Sequence, residues 1–355
     1  MERQYKTVII GCGDIASLYN LNFSKWPVTH AAAYQAHPAT HLVGVSDVNL
    51  SQAKICAEKW QVPKFYQDHH QMLEIERPDI VSICTPYETH AKIIGDVVNS
   101  SVGVKAIFCE KPLTNNLDEA RQVIKLCQDK NIILTVNFQR RHDLFYSYVK
   151  ENMEQLVGKV KKVICTYAGG VINNGSHAFD LLRYYFGDII SVEASPDDEE
   201  DNLELNVVMK FTTGLKVVLT PCQIPNHSSF GLTIYGENAV LNLINKPLFD
   251  YSYNYFPHEN SSIEPQVTHM SDKQLYPIKK DLERDFFVRA VQNIIECIEK
   301  NQIPESSAEN GLLALELVCA AIISAREKRE ISLPYTGSFK LPQIRGLYKQ
   351  WKKQT

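Results

Sequence analysis

The feature that most constrains this chain is a glycine turn set between a strand and a helix. Lys6-Thr7-Val8-Ile9-Ile10 is a β-branched run, a composition that suits a strand. Gly11-Cys12-Gly13-Asp14-Ile15-Ala16 follows at once, in the pattern G-x-G-x-x-A. The first glycine permits the tight turn, and the second lets backbone approach a pyrophosphate. The small third residue, Ala16, allows close helix–strand packing. A helix opening at Asp14 and Ile15 offers free N–H groups and a partial positive charge to phosphates.

An acidic residue closing the second strand is the next requirement. His41-Leu42-Val43-Gly44-Val45-Ser46-Asp47 supplies Asp47. A carboxylate there accepts hydrogen bonds from the adenosine ribose and repels a 2′-phosphate, which favours NAD over NADP. It also suits a cap for the helix near Ser51. The stretch Leu18–Thr29, with Tyr19, Phe23, Trp26 and Pro27, separates the glycines from this strand. It reads as a loop interrupting the first helix, with helix resuming at about His30.

Strand and helix signals then alternate: helix Ser51–Trp60, strand Lys64–Tyr66, helix His69–Glu74, strand Ile80–Cys84, a helix ending at Asn99, strand Val104–Cys109, helix Leu117–Asp129 and strand Ile132–Asn137. Repeated units of this length predict an α/β Rossmann domain, a doubly wound parallel sheet with right-handed crossovers, over residues 1–137. Ligands bind outside the carboxyl ends of strands in such sheets. Thr85-Pro86-Tyr87-Glu88-Thr89-His90 and Glu110-Lys111-Pro112-Leu113 both fall there. Lys111, followed by a proline of fixed φ, stands where a working residue would.

At 355 residues the chain is long enough for two cores. Its 44% hydrophobic and 22% charged content is ordinary for a globular protein, and a net charge of −4 gives no reason to expect nucleic acid or a membrane surface. The start shows no signal-peptide pattern, and no apolar run approaches the ~20 residues of a membrane span. The nine cysteines form no C-x-x-C pair and the eleven histidines no ligand-spaced group. His69-His70 reads as a solvated helix start. A cytoplasmic chain with reduced thiols and no metal is expected.

With these motifs in order, the sequence resembles the Gfo/Idh/MocA family of NAD(P)-dependent dehydrogenases. The resemblance rests on the glycine turn, Val45-Ser46-Asp47-Val48-Asn49, Thr85 to His90, Glu110 to Leu113, Asn137-Phe138-Gln139-Arg140-Arg141 and Gly175-Ser176-His177-Ala178-Phe179-Asp180-Leu181-Leu182-Arg183. It covers about residues 5 to 335. It implies that Lys111 is the active-site lysine, with a cis bond before Pro112. Glu110, Thr85, Pro86 and His90 would serve the cofactor, Arg140 would reach substrate, and His177 would be the catalytic histidine. The departure is Asn173, where many members carry Asp four residues before the histidine.

After Asn137 the pattern changes. Helix Asp143–Met153, strand Val160–Tyr167, a loop through Asn173 and helix Ser176–Phe186 precede six short alternating runs: Ile189–Ala194, Leu203–Phe211, Lys216–Thr220, Phe230–Gly236, Val240–Ile244 and Leu248–Tyr253. These predict an α+β domain over 138–335 with a large open, mostly antiparallel sheet. A sheet face with no helices on it needs another partner; the family uses it to oligomerise, which implies a homodimer or homotetramer. Residues Phe256–Pro277 read as a long loop, and Asp281–Lys300 and Ala308–Lys328 as helices. The acidic run Pro196–Asp201 reads as solvated, and 336–355 is a basic tail.

Oxidising a secondary alcohol requires hydride departure and a base for the hydroxyl proton, a role histidine suits. His177 and Asp180, at i and i+3, share a helix face. Asn173 hydrogen-bonds but carries no proton, so His177 is expected to act as acid/base. Lys111 would lower the alcohol's pKa, with Asn173, Arg140 and Asp180 around the substrate. The resulting expectation is an NAD-dependent enzyme interconverting alcohol and ketone on a sugar, cyclic polyol or nucleotide-linked sugar. A non-catalytic NAD-binding regulator of the same fold, and lyase-like chemistry with tightly held NAD, are the alternatives.

Overall fold

The computed structural model describes residues 4–18, 27–197, 203–224, 227–228, 230–245, 251–257 and 285–342. Residues 19–26 of the aromatic loop, 198–202 of the acidic run, most of the expected loop after Pro257 and the basic tail beyond 342 lie outside them. The chain divides into two compact units, Met1–Leu144 with Lys280–Leu315 and Ser338–Lys340, and Phe145–Lys279 with Glu316–Gly337 and Leu341–Thr355.

In the first unit, β1 (Tyr5–Ile10), α1 (His30–Ala36), β2 (Thr40–Ser46), α2 (Leu50–Trp60), β3 (Lys64–Tyr66), α3 (His69–Glu76), β4 (Ile80–Ile83), α4 (His90–Asn99), β5 (Ala106–Cys109), α5 (Leu117–Asp129) and β6 (Ile133–Val136) alternate. The strands form one six-stranded sheet in the order β3-β2-β1-β4-β5-β6. Every pairing is parallel. Val8, Ile9, Val45, Ile80, Val81, Ile107 and Phe108 are fully buried, as expected of strands with helices on both faces. The order reverses between β1 and β4, which sets the binding crevice at that switch point.

Helix starts are fixed locally. Asn49 accepts from Ser51 N, Asp68 from His70 N, and Asn116 from Asp118 N and Glu119 N, satisfying orphan amides of each first turn. The α2 cap is therefore Asn49 and not Asp47. Helix α1 opens at His30 behind Thr29, whose hydroxyl accepts from Ala32 N.

In the second unit, the single expected helix over Asp143–Met153 is two, α6 (Leu144–Glu151) and α7 (Met153–Val157), broken at Asn152. Next come β7 (Val160–Tyr167), α8 (Ser176–Phe186), β8 (Ile189–Pro196), β9 (Leu205–Phe211), β10 (Lys216–Pro221), β11 (Gln223–Ile224), β12 (His227–Ser228), β13 (Phe230–Gly236), β14 (Ala239–Asn245) and β15 (Tyr251–Pro257). Strand β15 thus includes Phe256, which the sequence assigns to a loop. The chain continues through α9 (Phe286–Lys300), α10 (Ala308–Glu327) and β16 (Ile331–Ser332). An eight-stranded sheet runs β15-β14-β13-β7-β10-β9-β8-β16. It is not a simple meander, because β7 sits inside it and pairs parallel with β10. One face is buried through Val163, Cys165, Val207, Met209, Val217, Leu219 and Ile234. On the other, Val208, Val218, Ile164 and Thr233 stand in register across four strands.

The segment around α9 belongs with the first unit because it completes the edge at β6. Val136 N donates to Ser306 O, Ser306 Oγ to Val136 O and Thr135 Oγ1 to Ser306 O. At 20 residues, α10 is long and apolar enough to cross a membrane, a match the sequence reading denied. Its Leu317, Val318, Ala321 and Ile322 are nevertheless buried inside protein, as in the core helix of a globular fold.

Candidate functional site

The glycine turn passes against the end of β4. Gly11 has φ +91°, and a Cβ there would stand 2.8 Å from Cys84 C and Thr85 N. Gly13 is different: a Cβ on it would meet nothing within 4 Å. Gly13 and Asp14 are exposed, Ile15 is half-buried and Ala16 is buried. Asp14–Leu18 forms a wide π-type turn in place of a full helix. Asp47 Oδ2 accepts from Cys12 N at 2.8 Å and Oδ1 from Asn49 N at 2.8 Å. Each oxygen keeps a lone pair for a further donor.

The loop after β4 carries half-buried Thr85 and exposed Pro86. Thr89 Oγ1 donates to Thr85 Oγ1 and lies 2.8 Å from Pro86 O. His90, at the start of α4, is fully buried. Its Nε2 faces Thr85 O at 2.8 Å, and its Nδ1 faces Pro112 O at 3.0 Å and Leu113 O at 3.3 Å. His90 therefore ties two site loops together. Burial pushes its pKa down, against the pull of those carbonyls.

The loop after β5 carries Glu110 and Lys111. The Lys111–Pro112 bond is cis. Glu110 is 8% exposed. Its Oε1 accepts from His30 Nε2 at 3.0 Å and Asn137 Nδ2 at 2.6 Å, and its Oε2 from Lys111 N at 3.3 Å. Burial alone would raise its pKa, but His30, Asn137 and the Lys111 charge hold it below the usual carboxylate value. Lys111 is half-buried. Burial lowers its pKa to about 8; Glu110 opposes that shift and Arg140 adds to it. Arg140 is itself buried on the 3-10 turn Gln139–His142 that follows β6.

The first unit thus brings Gly11, Gly13, Asp47, Thr85, Glu110, Lys111 and Arg140 to the carboxyl end of one sheet. Two features fit a bound dinucleotide: the open space over Gly13 and the buried Asn137 Oδ1, which has no hydrogen-bond partner beside Glu110. His30, Ser82 and Asn137 were missed as site residues by the sequence reading. His30 and Tyr34 at i and i+4 on an alanine-rich helix were the available signal.

In the second unit, Asn173 lies not in a loop but in a π-type turn, Gly170–Gly175, which runs straight into α8. Such wide turns occur often at functional sites. Gly169 and Gly170 have φ of +84° and +82°, and the Gly170 amide donates to Glu204 Oε1 at 2.7 Å. Ser176 Oγ donates to Asn173 O at 2.6 Å. His177 is the second residue of α8 and half-buried, while Asp180 on the next turn is 2% exposed. Asn173 precedes His177 by four residues in this continuous winding.

A cluster the sequence reading denied lies on the first unit's surface. Ligand atoms of Asp68, His69 and His70 lie within 4.8 Å of one another. Asp96 already engages it: His69 Nε2 is 3.1 Å and His70 Nε2 3.6 Å from its Oδ2, and Lys92 Nζ is 2.7 Å away. The lysine supplies positive charge there, and the group acts as a clasp between α3 and α4.

A parallel sheet with a glycine turn at its switch point, and a lysine next to a buried carboxylate two strands away, defines a dinucleotide-dependent oxidoreductase. The chain belongs to the Gfo/Idh/MocA oxidoreductase family: residues 5–138 match its NAD-binding Rossmann fold and 153–333 its C-terminal alpha/beta domain. It is 26% identical over 350 residues to myo-inositol 2-dehydrogenase of Thermotoga maritima, covering 92% of this chain and 97% of that one. Inositol 2-dehydrogenase of Rhizobium meliloti is also 26% identical, over 72% of this chain and 81% of its own. A dehydrogenase of Bordetella pertussis, solved with NADH and UDP-GlcNAcA, has the same fold, with a TM-score of 0.72 at 19% identity over 94% of this chain and all of that one.

Proposed function

We propose that the chain interconverts a secondary alcohol and a ketone on a sugar, cyclic polyol or nucleotide-linked sugar, with NAD as cofactor. The observation that carries this reading is Lys111, half-buried beside the anchored Glu110 carboxylate, with its pKa lowered to about 8. The names of the relatives, inositol 2-dehydrogenases among them, support the substrate class. When bound, the nicotinamide accepts or returns the hydride. Gly11, Gly13, Asp14, Ile15 and Ala16 would hold the pyrophosphate end. Thr85, Pro86 and Glu110 would border the nicotinamide half.

The Lys111 ammonium favours the alkoxide over the neutral alcohol by charge. His177 takes the hydroxyl proton on oxidation and returns it on reduction. Arg140, Asn173 and Asp180 orient the substrate. Asn173 stabilises no imidazolium by charge, so His177 works without a carboxylate at that position. NAD is favoured over NADP because the Asp47 carboxylate, held by the Cys12 and Asn49 amides, would accept from the ribose hydroxyls and repel a 2′-phosphate. The sheet row Val208, Val218, Ile164 and Thr233 supports a homodimer or homotetramer.

Asn173 also favours a second reading, an NAD-binding protein of this fold without turnover. Reduced-nicotinamide absorbance, followed with a panel of inositols, sugars and nucleotide sugars, separates the two. A rise with any member supports the enzyme. NAD binding with no rise, and no reverse reaction with the ketones, supports the regulator. Product forming while NAD stays oxidised overall would indicate lyase-like chemistry.

A further inference from the structure

The carboxylate beside Lys111 ends a chain of buried side chains that the proposed chemistry leaves unused. Tyr34 OH lies 2.7 Å from Ser82 Oγ, Ser82 Oγ 2.9 Å from His30 Nδ1, and His30 Nε2 3.0 Å from Glu110 Oε1. Tyr34, Ser82 and His30 are all at 0% exposure. An ionised carboxylate only accepts, so His30 Nε2 donates to it. With a neutral ring Ser82 donates to Nδ1, and with a protonated ring Nδ1 donates to Ser82; in both states Nε2 is a donor to Glu110. The rings of Phe108 and Phe287, with centroids 4.4 and 5.3 Å from that of His30, fix its plane.

Two roles are open to such a chain: moving a proton or holding a charge. Its far end is a buried tyrosine whose pKa burial pushes well up, with no exit to water at that end. Holding is therefore favoured. We propose that His30 is a positioning residue of the site: it keeps Glu110 an oriented anion beside Lys111 and thereby keeps Lys111 an ammonium. This rests on the reading of Lys111 as the working cation. Among the described residues, other charged and titratable groups facing the pair include His90 from α4, Arg140 from the turn after β6, and the Cys84 and Cys109 thiols.

The sign follows from the geometry. Without His30, Glu110 loses a charge-assisted hydrogen bond and protonates more readily. Lys111 then loses a neighbouring charge that opposes the effect of its burial, so it deprotonates at lower pH. Competitive acetylation of the NAD-free protein with acetic anhydride across a pH series, read by mass on the Lys111 peptide, measures this without a substrate. His30→Ala is expected to give roughly fivefold more free amine at pH 7, the effect of a fall of about one pKa unit from about 8. Glu110→Gln should reproduce it. His30→Gln, whose amide still donates, should stay closer to wild type, and Glu110→Gln carries the test where His30→Ala does not fold. An unchanged Lys111 profile in folded His30→Ala, or in Glu110→Gln, overturns the proposal. A wild type that turns over no alcohol refutes the catalytic reading separately, because the labelling result does not depend on turnover.

Discussion

Two glycines two residues apart should respond in opposite ways to the same substitution. In Gly11→Ala the new methyl enters at φ +91°, 2.8 Å from the backbone of Cys84 and Thr85. The left-handed conformation costs an L-residue about 1–2 kcal/mol, and overpacking adds about 1–3 kcal/mol. The clash cannot relax cheaply, because Cys84 N is bonded to Ile10 O at 2.8 Å and Gly11 N to Ser46 O at 2.8 Å. A total loss of about 2–5 kcal/mol is expected. In Gly13→Ala the methyl enters open space, so stability should change by less than about 0.5 kcal/mol. Its methyl would stand where the pyrophosphate approaches, weakening NADH binding about tenfold or more, at least about 1.4 kcal/mol. Urea unfolding followed by circular dichroism, and NADH fluorescence titration, read the two quantities. The reasoning fails if Gly11→Ala leaves the midpoint in place, or if Gly13→Ala destabilises as much while binding NADH normally.

Three further outcomes are expected. If the Lys111 ammonium is required, kcat/KM should fall as pH rises through about 8, and Lys111→Arg, which stays charged, should remove that limb from any residual activity. His142 is 8% exposed, and burial followed by the Arg141 charge lowers its pKa to about 4. As pH falls from 6.5 the unfolded chain takes up a proton that the folded chain refuses until about 4, so stability declines through that window. The contribution is up to about 3 kcal/mol, and His142→Gln should flatten that part of the urea-midpoint profile. Val218→Lys places a charge at the centre of the open sheet row and should shift the light-scattering mass to that of a monomer, with the circular dichroism spectrum retained.

The parts of the fold legible in the sequence are those written in local pattern. The β-branched run before Gly11 and the apolar runs ending at Cys84 and Cys109 place three neighbouring strands and the turns that follow them. Lys111 and Thr85 could be assigned to carboxyl ends on that basis. Illegible were features set by distant pairing. Nothing local shows that β7 lies inside its sheet beside β10, or that Ser306 returns to bond Val136. The turn Gly170–Gly175 looked like a loop because its glycines mask a wide helical winding that Glu204 anchors from 34 residues away. His30 escaped for the same reason: its partners Ser82 and Glu110 are 52 and 80 residues away. His69-His70 reads as a solvated helix start because its partner Asp96 sits on another helix.

A crystal structure with bound NADH tests the central claim most directly. The account predicts the pyrophosphate over Gly13, the adenosine ribose at Asp47, and the nicotinamide beside Thr85 and Glu110 with Lys111 Nζ toward its reactive face. A dinucleotide bound elsewhere, or a nicotinamide ring remote from Lys111, would contradict it.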